Sequence, residues 1–565
     1  MICRYNHGVS YSEVAMFFRV KPSGPRRYLQ LVENFWDHGR SSQRVLATLG
    51  RLDQLQESGQ LDALLASGAR FAQKALLLTA HQRGELPVVT TRRLGPSLVG
   101  ERLWQLLGCQ AVLTELLAER RFEFPVERAV FLTVLHRLFA AGSDRAADRW
   151  KDDYLIDGVE ELQLHHLYRA MAWLGKELPA DQQGGSSKLV PRCIKDRIEE
   201  QLFARRRDLF TNLEIVFFDT TSLYFEGDGG ETLGQYGHSK DHRPDEHQMV
   251  VGAVLDGDGR PICCELWPGN TADVTTLIPI VDRLGRRFQI HRVCIVADRG
   301  MISKETMDTL EEQGRSYILG ARMRRQKEVR DQVLADRGRF RVVHGPRQQS
   351  SDPAPLKVKE VQIEDRRYVV CVNVEEVEHD RSKREATVAG LREQLRAGDK
   401  SLVGNKGYRQ YLKVEGEGHF AIDEAKVAEE ARYDGTWVLR TNTELPTATV
   451  ALQFKKLWMV EQWFRSCKSL LETRPIYHRR DATIRGHVFC SFLALVLRHE
   501  LQARLEAKGH TVEWAQVLQD LERVQYVDVE QNGKRFRLRS ELSGSAGRVF
   551  KAVGVALPPT VQQLS

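Results

Sequence analysis

The chain has 565 residues, of which 42% are hydrophobic and 28% charged, with a formal net charge of +7. This is the make-up of an ordinary soluble globular protein with several packed cores, and the length suits roughly three or four domains. The most apolar stretch, residues 488–497, is about half as long as a membrane span requires, so no transmembrane helix is expected. Residues 1–7 lack the apolar core of a signal peptide, which predicts a cytoplasmic protein. Nine cysteines without a Cys-x-x-Cys pair predict reduced, mostly buried thiols. A modest positive charge is compatible with a polyanion partner and does not establish one.

In chain order, residues 1–96 read as a mixed region, with a strand-like run at 14–20 and a leucine-rich helical stretch at 73–83. From 97 the apolar spacing becomes helical, as in Leu103, Leu106, Leu107 and Val112, then Val130, Val134, Leu135 and Leu138. Residues 97–212 are therefore expected to be helical, with a glycine- and serine-bearing break at 179–188 and a last helix at 191–208. The texture then changes. Strands are predicted at 214–218, 247–255 and 260–267, the last two joined by a tight turn at Asp256-Gly-Asp-Gly259. A helix at 272–287, a strand at 291–297, a helix at 303–313 and a strand at 316–319 follow.

Three paired strands and then strand and helix in alternation predict an α/β fold, an RNase H-like mixed sheet over 213–320 that resumes at 446–505. Residues 321–445 carry strand-like runs at 357–363, 367–374, 400–403 and 436–440 and a charged helix at 380–397. They predict a β-rich insertion that interrupts the core. Residues 506–565 are expected to be a C-terminal helical region and tail.

Three acidic residues stand where metal ligands would be useful. Asp219 follows the apolar run Ile-Val-Phe-Phe, Asp298 follows Cys-Ile-Val-Ala, and Glu461 lies on a predicted helix ahead of Arg465 and Lys468. Phosphodiester chemistry at neutral pH needs an activated oxygen nucleophile and charge relief on the leaving oxygen, which two Mg²⁺ ions can provide together. Such hard cations take carboxylate oxygens. Any one Asp after an apolar run is commonly a turn former or helix cap. Three in this order, on these elements, point instead to phosphoryl transfer.

The segments Asp219-Thr-Thr-Ser-Leu-Tyr-Phe-Glu226, Gly237-His-Ser-Lys-Asp-His-Arg-Pro-Asp245 followed by Gln248, and Trp267-Pro-Gly-Asn-Thr-Ala-Asp273 resemble bacterial insertion-sequence transposases of the DDE class. So do Ala297-Asp-Arg-Gly-Met-Ile302, the stretch from Glu461 to Lys468, Arg474-Pro-Ile-Tyr-His478 and Gly486-His-Val-Phe489. The likeness covers roughly 213–501. It implies an RNase H-like core with a β-rich insertion before the Glu, and Asp219, Asp298 and Glu461 as catalytic metal ligands for Mg²⁺, with Mn²⁺ able to substitute. It also implies double-stranded DNA as the partner, both transposon ends and target, and a homodimer in the DNA complex. One departure stands out: the related group carries a Tyr and an Arg seven and four residues before the Glu, where this chain has Phe454 and Leu457. Lys468 fits the pattern.

Glu461, Arg465 and Lys468 share one side of a helix, either as a solvated ion-paired face or as a stripe facing DNA phosphate. Arg299 stands beside the second Asp, to steady a phosphate or to neutralise the carboxylates. Lys240 and Arg243 occupy a glycine-flanked loop within reach of a DNA backbone. His238, His242 and His247 lack the companions of a zinc site. Arg322, Arg324, Arg325, Lys327 and Arg330 form a basic run that is either solvated or in contact with phosphate. Trp437 is a core residue or, as in relatives, a stacking platform for an unpaired base.

The reading is a transposase that binds the terminal inverted repeats of its element, cuts at the ends and joins the 3′-hydroxyl to target DNA, with 97–212 expected to bind the ends. Its rivals are an RNase H-like structure-selective nuclease and a non-catalytic DNA-binding protein derived from a transposase.

Overall fold

The structure, a computed structural model, describes residues 16–37, 40–69, 88–118, 120–184, 190–206, 213–290, 293–397, 410–415, 419–531 and 534–564. The helix expected at 73–83 and the strand at 400–403 lie outside them. The chain divides into two units, a smaller one of Met1–Thr91, Tyr526–Glu541 and Pro558–Ser565, and a larger one of Arg92–Gln525 and Leu542–Leu557.

In the smaller unit, β1 (Met16–Ser23), β2 (Arg26–Asp37) and β3 (Arg40–Arg51) form an antiparallel meander. Ser23 pairs with Arg26 across a two-residue turn, in which Gly24 takes φ +58°, a conformation that favours glycine. Short helices at Leu52–Glu57 and Gln60–Ala69 follow. A four-stranded sheet contains β4 (Val88–Arg93) and, from the far end of the chain, β16 (Gln525–Gln531), β17 (Lys534–Arg539) and β18 (Val561–Leu564).

The larger unit is built on a nine-stranded sheet. β5 (Ile215–Tyr224), β6 (Gln248–Asp256) and β7 (Pro261–Pro268) are antiparallel neighbours, while β8 (Cys294–Ala297) and β9 (Ser316–Gly320) run parallel to β5 on its other side. The order β7-β6-β5-β8-β9 is the RNase H-like arrangement expected from the sequence. β6 and β7 are buried throughout, as strands covered on both faces should be. Along β5, Phe217 and Leu223 enter one core while Val216 and Phe218 enter the other, following the two-residue period of a strand. At the β6–β7 turn the Asp256 carboxylate accepts the amides of Asp258 and Arg260, at 2.9 and 2.8 Å.

Four of the described strands between β9 and Glu461 continue this sheet. β10 (Arg341–His344), β11 (Leu356–Ile363), β12 (Arg366–Val372) and β15 (Thr436–Thr441) are antiparallel to one another in that order, and β15 pairs with β9. One sheet therefore runs from the strands of 213–320 into those of 321–445. A hairpin of β13 (Leu412–Glu415) and β14 (His419–Ile422) packs with the helix Val374–Ala397 through Val388, Leu391 and Tyr411.

One face of the sheet is covered by helices from both ends of the unit. Val126–Phe139 is buried continuously from Ala129 to Phe139, with Thr133, His136 and Arg137 among its apolar residues. It packs with Leu164–Leu174 and the long helix Asp481–Ala507 in a common core. The last two helices touch backbone to backbone: a Cβ at Gly486 would lie 2.0 Å from the Met171 carbonyl oxygen, and one at Gly175 would lie 1.9 Å from that of Ala482. On the opposite face, helices Ile194–Arg205 and Leu277–Phe288 meet β7 through buried charges. Arg287 reaches Glu199 at 2.6 Å and Glu265 at 2.8 Å, Arg283 pairs with Glu265, and Lys195 donates to Asp196 at 2.7 Å and to the Cys264 carbonyl at 2.8 Å. The described cysteines are all buried and unbridged.

Candidate active site

The parallel pairing of β5 with β8 ends at Phe218 opposite Ala297, so Asp219 and Asp298 are the next residues on two neighbouring strands. β5 runs on while β8 turns away through the short turn Arg299–Met301. By alternation Asp219 shares a face with Phe217 and Leu223. The helix Trp458–Arg465 enters that same core through Val460, Trp463 and Phe464, which places Glu461 on the element covering the Asp219 face.

Asp219 is half-buried and its Oδ1 accepts the Thr220 amide at 2.7 Å. Burial pushes its carboxyl up to about 6; Lys240 and the amide bond pull it down, while Asp298 and Asp273 push it further up. Among the described residues, neither Asp219, Asp298 nor Glu461 has a salt-bridge partner. Carboxylate oxygens committed to no cation of the protein suit a hard divalent ion, so the donor set fits. Asp219 and Asp298 are brought together; Glu461 is exposed, and the three do not close into a group within 4.8 Å.

Among the described residues the group that does meet that limit is Asp144, His478 and His487. Arg137 lies in its midst, 2.9 Å from His487 Nδ1 and 3.3 Å from Asp144 Oδ1. Burial, Arg137 and His478 hold the His487 imidazole well below its ordinary range, so it is neutral and accepts from Arg137. The guanidinium supplies the positive charge that a metal would bring, and the group is a satisfied polar network.

The basic residues divide by how they are engaged. Lys240 Nζ donates to the Thr220 carbonyl at 2.8 Å and hydroxyl at 2.9 Å and forms an ion pair with Asp273 at 2.9 Å. Arg243 pairs with Asp245 at 3.1 Å and Glu246 at 2.5 Å. Arg322 donates to the carbonyls of Arg299 and Gly300, both at 3.0 Å, and so braces the turn after Asp298. Arg324 pairs with Glu430 at 2.8 Å and lies over the Tyr433 ring. Arg299, Arg325 and Arg465 are exposed. Lys468 pairs at 2.7 Å with Asp241, which also faces Arg474 at 3.4 Å.

Trp437 is half-buried on β15, opposite Cys371 of β12, and packs against the main core with Lys455 over its ring. Phe454 packs close to Gly320, where an added Cβ would lie 3.1 Å from both the Phe454 ring and the Arg299 amide, and Leu457 is buried. The two positions that depart from the family pattern thus carry apolar packing beside the site. Sequence reasoning missed the roles of Asp241 and Asp273 as partners of Lys468 and Lys240, and missed Trp458, which is exposed one turn before Glu461.

The fold is thus an RNase H-like sheet with two aspartates just past the ends of adjacent parallel strands. Residues 211–497, about half of the chain, match the transposase DDE domain, and the chain belongs to that family. Residues 18–82 match the N-terminal domain of IS1634 family transposases, which makes it an insertion-sequence DDE transposase. The DDE domain implies use of a divalent metal. Among solved structures the chain is similar to a Mos1 transposase paired-end complex with left transposon end, at 16% identity over 35% of this chain and 60% of that one, with a TM-score of 0.15. It is likewise similar to a pre-cleavage Mos1 transpososome, at 15% identity, the same coverage and a TM-score of 0.14. It thus spans about 60% of the length of those solved chains. No curated protein matches it.

Proposed function

We propose that the chain binds the terminal inverted repeats of its own insertion sequence, cleaves DNA at those ends and transfers the freed 3′-hydroxyl to target DNA. The observation that carries the reading is the placement of Asp219 and Asp298 side by side past the last paired residues of β5 and β8, neither in a salt bridge among the described residues. With Glu461 they would hold two Mg²⁺ ions, or Mn²⁺ in their place. Such ions activate the attacking oxygen and relieve charge on the leaving one, which serves both hydrolysis and strand transfer by a change of nucleophile. Asp219 and Asp298 hold their carboxylates on rigid strands, and Glu461 brings its own from the helix above.

DNA held against this end of the sheet would meet Arg299, Arg465 and Lys468 through phosphate, Lys468 exchanging Asp241 for the DNA backbone. Arg243, Arg324 and Arg325 are further contacts along the duplex, the first two after release of their acidic partners. Trp437 would need to leave its packing to stack on a base, whereas Trp458 is already exposed beside Glu461. Two ends brought together call for a homodimer in the DNA complex. The test is cleavage and joining of DNA carrying the element's terminal repeats. Wild-type protein should cut at the repeats and join them to a second duplex in Mg²⁺, and Asp219→Asn, Asp298→Asn and Glu461→Gln should each lower the rate on the order of 10³-fold or more while retaining end binding. Cleavage by Asp298→Asn at the wild-type rate would refute the site; cleavage without end preference or joining would favour a nuclease.

A further inference from the structure

Two sequence motifs far apart in the chain are pressed together beside Asp219. A Cβ at Gly237 would lie 1.9 Å from the Gly269 carbonyl oxygen, so the loop carrying Lys240 and the loop carrying Asp273 approach to backbone contact. The Lys240 amide donates to Ser222 Oγ at 2.8 Å, which fixes the loop on β5. Its ammonium then spans Thr220 and Asp273, and Asp273 Oδ1 accepts from the Thr220 hydroxyl at 2.7 Å. A closed triangle of Thr220, Lys240 and Asp273 results, next to Asp219 and past the point where β8 has left the sheet.

We propose that Lys240 and Asp273 are positioning residues of the metal site: Lys240 is a built-in counter-cation that holds a fourth carboxylate and the Asp219–Thr220 backbone in place before divalent ions arrive. The inference rests on the metal-dependent reading above. Three carboxylates gather at one strand end: Asp219 and Asp298 follow the last paired residues of β5 and β8, and Asp273 is bonded to Thr220 and lies 3.5 Å from where a Cβ would stand at Gly300, so their like charges have to be offset in the ion-free protein. An ammonium bonded to both the carbonyl and the hydroxyl of Thr220 and ion-paired with Asp273 performs that task, its charge already engaged within the protein. Lys240 therefore acts on the charge and geometry of the site, in place of the DNA contact expected from its sequence context.

The role predicts opposite shifts for the two partners. Removing the cation leaves the cluster more negative, and removing Asp273 leaves it less so; at these separations one charge is worth roughly a tenfold change in ion affinity. The experiment titrates the full-length protein with Mn²⁺, follows its melting temperature, and measures binding to end-containing DNA in EDTA. Lys240→Met should lower the Mn²⁺ concentration for half-maximal stabilisation roughly tenfold and Asp273→Asn should raise it by a similar factor. The double variant should return to within about threefold of wild type. DNA binding should stay within about twofold in all three. If Lys240→Met fails to fold, the upward shift in Asp273→Asn together with recovery of the wild-type midpoint in the double variant decides the matter. Unchanged midpoints, or a loss of DNA affinity of about tenfold in Lys240→Met without a metal shift, would overturn the inference. Wild-type protein that gains no stability from Mn²⁺ would sink the metal reading and the inference together; a wild-type response that the variants merely copy would sink the inference alone.

Discussion

At the scale of single residues, the Asp219 carboxyl sits between opposed influences. Burial and two neighbouring carboxylates raise it while Lys240 and one amide oppose them, and the balance lies near 6. An acid whose folded value is raised adds stability that is complete below its unfolded value near 3.8 and is lost as pH climbs through about 6. In the metal-free protein that contribution should fall away between pH 4 and 6, so the difference in melting temperature between wild type and Asp219→Asn should change across that range in favour of the variant as pH rises. Metal uptake should weaken below about pH 6, where the ion competes with a proton. Lys468 carries a different expectation. It is paired with Asp241 in the free protein, so binding DNA exchanges one anion for another. Lys468→Ala should weaken end binding and reduce the slope of log affinity against log salt by about one, measured by titration at several salt concentrations.

At the scale of elements, two interfaces hold the site in place by different means. The helices Leu164–Leu174 and Asp481–Ala507 meet where glycine removes the side chain, with room for nothing between Gly486 and the Met171 carbonyl. Gly486→Ala should cost about 1–3 kcal/mol, read as a lower denaturation midpoint, because a methyl group there must push the helices apart. On the far face, Arg287 binds Glu199, Glu200, Glu265 and Asp196 at once and is almost wholly buried. Arg287→Met would strand several carboxylates without a cation, and a loss of about 3–5 kcal/mol in unfolding free energy is expected. The elements themselves were largely legible. Runs such as Phe217-Phe218 and Cys294–Ala297 are short, apolar and bounded by turn residues, and only a covered strand suits them. The strand at β5 is longer than the sequence suggested, reaching Tyr224, because the polar Asp-Thr-Thr-Ser run is paired with β6 along its whole length.

At the scale of the molecule, the chain returns on itself near its end. Leu542–Leu557 belongs to the larger unit, and its helix Ala546–Val553 buries Val549 and Phe550 in the main core beside the long helix Asp481–Ala507. Truncation after residue 541 should therefore expose that core. The shortened chain is expected to melt well below the intact one and to bind a hydrophobic dye, although no residue of the site has been removed. The β-rich insertion is the other feature of this scale. Four of its described strands extend the RNase H-like sheet through the pairing of β15 with β9, a long-range ladder that periodicity along the chain cannot register.

The amino-acid order by itself marked the strands and helices around Asp219 and Asp298, since hydrophobic period and turn chemistry are local properties, but not β16, β17 and β18, which lie in a stretch expected to be helical. It also showed the motifs by which the chain resembles a transposase. Tertiary structure alone decided which charges are available. Arg465 and Arg299 are exposed, while Lys240, Arg324 and Lys468 are held by Asp273, Glu430 and Asp241, acidic partners from other loops and elements. A cation reads the same in a sequence whether it faces water or a buried carboxylate; folding sets the distance between them, and with it the part each can play.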